Sequence, residues 1–144
     1  MNRFDPMTAE QRKAVASEYL KRLDRGENFF DLFADDALVY FPKWGVASGR
    51  KEYEQLFADL ASILSGITHH HAYFNYVVQD DLVVVEGTSE GKTADGVEWR
   101  AGVTHAGRWC DVFVIRDWKI QRCFIYLDPD YWSRDTQRYP WLNK

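Results

Sequence analysis

From Gly66 to Leu127 the chain is almost continuously extended, and its connections are too short to hold anything but turns. Residues 68–79, 82–93, 99–115 and 119–127 are rich in β-branched and aromatic side chains. They are joined by turns at Asp80-Asp81, Ala94-Asp95-Gly96 and Asp117-Trp118. Strands joined so tightly pair antiparallel with their neighbours. The first half is helical. Thr8-Ala9-Glu10-Gln11 has the form of a capping box; Val15, Ala16, Tyr19, Leu20 and Leu23 share one helix face, and Gly26 ends it. A short helical piece over 28–34 carries Phe29, Phe30, Leu32 and Phe33. A strand over 37–41 stops at Pro42, and 43–48 reads as a loop. Ser48 is placed to cap a helix over 50–64, with Tyr53, Leu56, Phe57, Leu60, Ile63 and Leu64 on one face. Helices first and a meander last predict an α+β fold in which a curved sheet wraps around the helices.

A length of 144 residues suits one domain over 1–144. The core is expected at about 8–130, followed by an aromatic tail, 131–144, with Tyr131, Trp132, Tyr139 and Trp141, lying over the domain or a neighbouring subunit. An aromatic share of 16% points to a core or cavity built from rings. A net charge of −4 without any basic run argues against nucleic acid as a partner. No apolar run approaches the ~20 residues that span a bilayer, so no membrane partner is expected either. The segment 1–6 lacks the apolar stretch of a secretory signal, and a cytoplasmic protein is expected. In that reducing setting Cys110 and Cys123 read as buried thiols rather than a disulfide.

Within the apolar strand around residues 107–115 stands Asp111. A carboxylate there is costly unless it is paired, hydrogen-bonded or protonated. A two-residue turn at Asp117-Trp118 sets Asp111 opposite Phe124. The face of Asp111 then carries Trp109, Phe113, Ile115, Arg122, Phe124, Tyr126 and Asp128. The other face carries Cys110, Val112, Val114, Cys123, Ile125 and Leu127. A three-residue turn would move Arg122 to Asp128 across. Both faces are largely apolar, so the face turned away from the helices needs a cover. The simplest is a second copy, and a homodimer through the outer face of the sheet is expected.

The run His69-His70-His71 is not read as a metal site, because adjacent strand residues point to opposite faces. At most His69 and His71 share a face, with Tyr73 and Asn75. The alternation of Glu86, Thr88 and Glu90 marks an outer, partly solvated face.

The order of these elements, together with Glu18-Tyr19-Leu20 before Asp24-Arg25-Gly26-Glu27, Leu32-Phe33-Ala34-Asp35-Asp36-Ala37, Ser48-Gly49-Arg50, the stretch 110–120 and Tyr126-Leu127-Asp128-Pro129, resembles the NTF2-like superfamily. The resemblance is to its SnoaL-like polyketide cyclase and ketosteroid isomerase branch, and it covers about residues 8–130. It implies a cone of three N-terminal helices packed in a strongly curved mixed or antiparallel sheet around a small-molecule pocket. Asp111 falls at the position of the isomerase's protonated aspartic acid, the standard example of a carboxylic acid held neutral. Tyr19 falls at that of its oxyanion tyrosine. Two positions depart from the pattern: the isomerase's general base is replaced by Phe41, and a supporting tyrosine by Phe57. Asp128 matches the last aspartate of the fold's epoxide hydrolases, but Glu86-Gly87-Thr88 stands where their Arg-x-Asp pair belongs. The placing of His71 relative to Asn75 is similar to a common strand pattern of the family, which makes His71 the candidate base, with Asp128 the other.

The resemblance therefore implies an enzyme needing no metal or organic cofactor. It would move a proton alpha to a carbonyl in an isomerisation, cyclisation or dehydration, with Asp111 and Tyr19 as donors. Phe41, Trp44, Phe57, Trp109, Phe113, Arg122, Phe124 and Tyr126 are the expected contacts to an apolar, aromatic or polycyclic ligand. The same fold also hosts non-catalytic binding or dimerisation modules, and the missing base keeps that alternative open.

Overall fold

A computed structural model describes residues 7–135. Helix α1 (Ala9–Arg25) is followed by a 3-10 turn (Phe30–Leu32), β1 (Phe33–Phe41), β2 (Gly45–Ser48), α2 (Arg50–Ile63), β3 (Leu64–His69) and a second 3-10 turn (His71–Tyr73). Then come β4 (Asn75–Gln79), β5 (Leu82–Thr93), β6 (Glu98–Arg100), β7 (Arg108–Arg116) and β8 (Lys119–Leu127). The strands form one mixed sheet in the order β2-β1-β8-β7-β5-β3, with β4 and β6 also on β5; only β1 and β8 run parallel. The α+β expectation holds, with two α-helices rather than three among the described residues. Neither helix is long and apolar enough to cross a membrane.

The start of α1 matches its signal: the Gln11 backbone N–H donates to Thr8 Oγ1 while Gln11 Oε1 accepts from the Thr8 N–H. Gly26 ends the helix at φ 68°. Two local readings change. Residues 45–48 are a strand, paired antiparallel with β1 after a turn at 42–44. Gly49, not Ser48, is the N-cap of α2; the Ser48 N–H donates to the Glu52 carboxylate at 2.6 Å.

The sheet bends on glycines whose missing side chains make room on its concave face. A Cβ on Gly87 would lie 2.6 Å from the Trp109 ring and 2.8 Å from that of Phe74. One on Gly91 would meet the Gly66 carbonyl at 2.3 Å and the Trp99 ring at 2.5 Å. Between them Ser89 is buried, and Glu86, Thr88 and Glu90 face outward as their alternation predicts. The 3-10 turn interrupts what the sequence presents as one segment, 68–79, and Gly102 to Gly107 interrupt 99–115.

The last hairpin carries the correction that matters most for the site. Its turn is the expected two residues, both left-handed, Asp117 at φ 52° and Trp118 at φ 64°. The pairing then slips by one between Ile115↔Ile120 and Val114↔Arg122, so Gln121 is the extra residue of a bulge. Asp111 therefore pairs with Ile125, not Phe124. Cys123, Ile125 and Leu127 join Trp109, Asp111 and Phe113 on the concave face. Arg122, Phe124 and Tyr126 lie with Cys110, Val112 and Val114 on the convex one. The uninterrupted register would have put the Arg122 cation against the core, and the bulge turns it out. Both cysteines are free thiols on opposite faces.

A candidate active-site cavity with two carboxylates in opposite settings

Between the helices and the concave sheet lies a cavity of about 620 Å³, within the usual size range for small-molecule sites. Its floor is aromatic. The Tyr19 ring meets Phe29, Phe33, Phe57 and Phe113 edge-on, with centroids 5.1–6.3 Å apart. Phe41, Phe57 and Trp109 reach the cavity surface, whereas Phe113 is fully buried behind it.

Asp111 stands on this wall, 3% exposed. Neither of its oxygens has a hydrogen-bond partner among the described residues, and both are open to the cavity. Burial with no compensating cation pushes its carboxyl up to about 8, so the acid is neutral at pH 7 and carries a proton to donate. Tyr19, its expected partner, is placed differently. The Tyr19 hydroxyl is buried with no hydrogen-bond partner among the described residues and is sealed from the cavity by its neighbours. Its pKa is pushed up by burial first, then by Cys123 and Asp111 beside it, so the hydroxyl stays protonated.

A second carboxylate, Asp24, sits at the rim, where the end of α1 meets β3. Asp24 Oδ2 accepts from the His69 N–H at 2.9 Å and pairs with His71 Nε2 at 3.0 Å, while Oδ1 pairs with His69 Nδ1. Burial pushes this carboxyl up, but the hydrogen bonds and charge of His69, then of His71, outweigh it and hold Asp24 below its ordinary value. With Nδ1 bound to Asp24, the tautomer that donates there leaves Nε2 of His69 as the lone-pair nitrogen. That nitrogen has no hydrogen-bond partner among the described residues, and the ring lines the cavity edge-on to Trp109 at 5.1 Å. His71 spends Nε2 on Asp24, and its Nδ1 is buried without a partner among the described residues. Strand alternation puts His69 and His71 at most on one face, and it is the family resemblance that makes His71 the candidate base. The chain instead leaves the strand at His70, and His69 keeps the inward position opposite Ser89.

His69 and Asp111 occupy opposite edges of β5, paired with Ser89 and Val85. On a flat sheet their Cα atoms would stand roughly 16 Å apart, at about 3.3 Å per residue and about 4.8 Å per strand. The bend at Gly87 and Gly91 turns both toward one space.

The remaining expected residues lie elsewhere. Asp128 is exposed and accepts from the Asp130 N–H at 3.0 Å. Trp44 packs edge-on against Phe41 beyond the cavity lining. Arg122, Phe124 and Tyr126 are on the convex face; there the Arg122 guanidinium covers the Phe124 ring at 4.2 Å, and Tyr40 stacks beside Phe124 and Tyr126. Of the tail, residues 131–135 are described. Tyr131 lines the cavity and Trp132 Nε1 donates to Asp95 at 2.9 Å; Tyr139 and Trp141 fall outside the described residues.

A comparison with the curated proteins gives no match. Solved structures match over nearly the whole chain, at identities that speak for the fold alone. A candidate polyketide cyclase from Xanthomonas campestris pv. campestris shares 14% identity over 86% of this chain and 95% of its own, with a TM-score of 0.72. An NTF2-like protein from Anabaena variabilis ATCC 29413 shares 22% over 88% and 97%, with a TM-score of 0.69. TerC, co-crystallised with polyporic acid, shares 14% over 93% and 99%, with a TM-score of 0.68. The family model described as SnoaL-like domain matches residues 10–123. With most of its length matched and the NTF2-like cone in place, this chain belongs to the SnoaL-like family.

Proposed function

We propose that the chain is a small-molecule enzyme that moves a proton alpha to a carbonyl using only its own side chains. Nε2 of His69, held by Asp24, takes the proton from carbon. The electron pair flows toward the carbonyl oxygen, and the neutral Asp111 meets the developing charge with a hydrogen bond. Return of the proton to another carbon gives isomerisation. Loss of a β-hydroxyl, protonated as it leaves, gives dehydration. Attack of the enolate carbon on a second carbonyl, with His69 returning its proton to the new alkoxide, gives cyclisation. The observation that carries this reading is the pair of carboxylates in opposite settings on one cavity, Asp24 at the rim bonded to His69 and His71 and Asp111 buried on the inner wall without a partner among the described residues, which is how acid and base roles separate at one pH. The aromatic walls favour an apolar ligand of one or more rings, and a neighbour of this fold was crystallised with polyporic acid.

Exchange of alpha protons for deuterium in a panel of aryl ketones tests the reading without knowledge of the product. Wild type should catalyse exchange and His69→Gln should lose it by at least about 100-fold. Binding of the ketones with no exchange would instead support a non-catalytic ligand-binding module, the reading favoured by Phe41 and Phe57 standing where the isomerase has polar groups.

A homodimer through the convex face, which carries Phe124 and Tyr126 beside Cys110 and Val112, is part of the proposal. Leu38, Val46 and Tyr126 are exposed there, and a dimer would cover them. A cytoplasmic setting would keep both thiols free.

A further inference from the structure

We propose that Tyr131, from the segment after β8, is a catalytic residue that supplies the second hydrogen bond to the ligand oxygen held by Asp111. This rests on the reading of Asp111 as donor and adds a partner that neither the strand pattern nor the family resemblance indicates. Oxyanion sites work best with two converging donors, and Tyr19 cannot be the second while its hydroxyl is sealed. Tyr131 is 3% exposed and lines the same cavity as Asp111. Its hydroxyl has no hydrogen-bond partner among the described residues, yet unlike that of Tyr19 it is open to the cavity. A buried tyrosine ordinarily satisfies its hydroxyl, so this one is left for something the protein binds.

The segment is built to hold that ring in place. Tyr131 packs on Trp99 at 5.0 Å, its N–H donates to the Pro129 carbonyl at 2.8 Å, and the next residue, Trp132, is tied to Asp95 on the β5–β6 turn. Asp130 accepts from the N–H groups of Arg134 and Asp135, both at 2.9 Å, closing the loop on itself. Burial, with the charges of Asp111 and Asp128 after it, pushes the Tyr131 hydroxyl up, so it remains a neutral donor over the whole working range.

The test is the binding of substituted 2-naphthols of graded acidity to wild type, Asp111→Asn and Tyr131→Phe, followed by fluorescence. An oxyanion site binds the more acidic naphthols more tightly. Tyr131→Phe should weaken binding about 10-fold and flatten the dependence on acidity, a change that loss of packing alone would not produce. Its melting temperature should stay at or above that of wild type, because the hydroxyl it loses bonds nothing. If Asp111→Asn weakens binding while Tyr131→Phe leaves affinity and slope unchanged, Tyr131 has no such role and the reading of Asp111 stands. If wild type binds no naphthol, or neither substitution matters, both fall.

Discussion

Asp24 and Asp111 are the same side chain at two points on one cavity, the rim and the inner wall, and the fold treats them in opposite ways. At the rim, two histidines and a backbone N–H surround Asp24 and keep it ionised, which fixes the orientation of His69. On the inner wall no described residue bonds Asp111, so it keeps its proton into neutral pH. The difference lies in supply of partners rather than in burial alone: desolvation opposes ionisation at both, and hydrogen bonds reverse it at only one. A site that needs a donor at one end and a base at the other can be made from two aspartates in this way.

The largest effect expected is at the inner wall. The folded protein holds a proton on Asp111 that the unfolded chain releases near the ordinary 3.8. The contribution is fully present below about pH 4, declines as pH rises toward about 8, and is gone above it. Asp111→Asn should therefore stabilise the protein by about 2–4 kcal/mol at pH 7 and remove that decline, measured by urea unfolding from pH 4 to 9. The same variant should lose proton exchange, a trade of function against stability.

Next is the bend that brings the two regions together. Gly87→Ala should cost about 1–3 kcal/mol, because its Cβ meets two rings at under 3 Å, and it should weaken ligand binding by displacing Trp109. At the rim, Asp24→Asn should cost about 1–2 kcal/mol near neutral pH. The Asp24 contribution has the opposite sign to that of Asp111: the folded pKa is lowered, so stability is present above the ordinary value and lost as pH falls below it. The variant should also lose most of the exchange activity with Asp111 intact, which separates the two ends. The smallest expected change is outside the cavity. Tyr126→Glu on the convex face should leave the monomer's stability within about 0.5 kcal/mol. It should shift sedimentation from dimer to monomer while ligand binding is kept; a wild type that sediments as a monomer removes the dimer.

Legibility in the sequence followed the range of the interactions. The capping box, Gly26 and the two-residue turn rest on neighbours within four residues, and they appear where the sequence puts them. Asp111 was conspicuous because a charge interrupts an apolar alternation. The bulge at Gln121 was not, since alternation resumes on either side of it; the one signal was Arg122, a cation that the uninterrupted register turns toward the core. His69 was passed over for His71 because the choice depends on Asp24, 45 residues earlier, and on a strand that stops at His70. Tyr131 was visible only as part of an aromatic tail, since nothing local ties that segment to Asp95 on the β5–β6 turn.

The opposed settings of the two carboxylates can be read directly by following the aspartate side-chain carboxyl carbons by NMR through a pH titration, assigned with Asp111→Asn and Asp24→Asn. Asp111 should titrate near 8 and Asp24 below its ordinary value. A midpoint for Asp111 near 4 would contradict the account, because the inner wall would then hold a carboxylate with no proton to give.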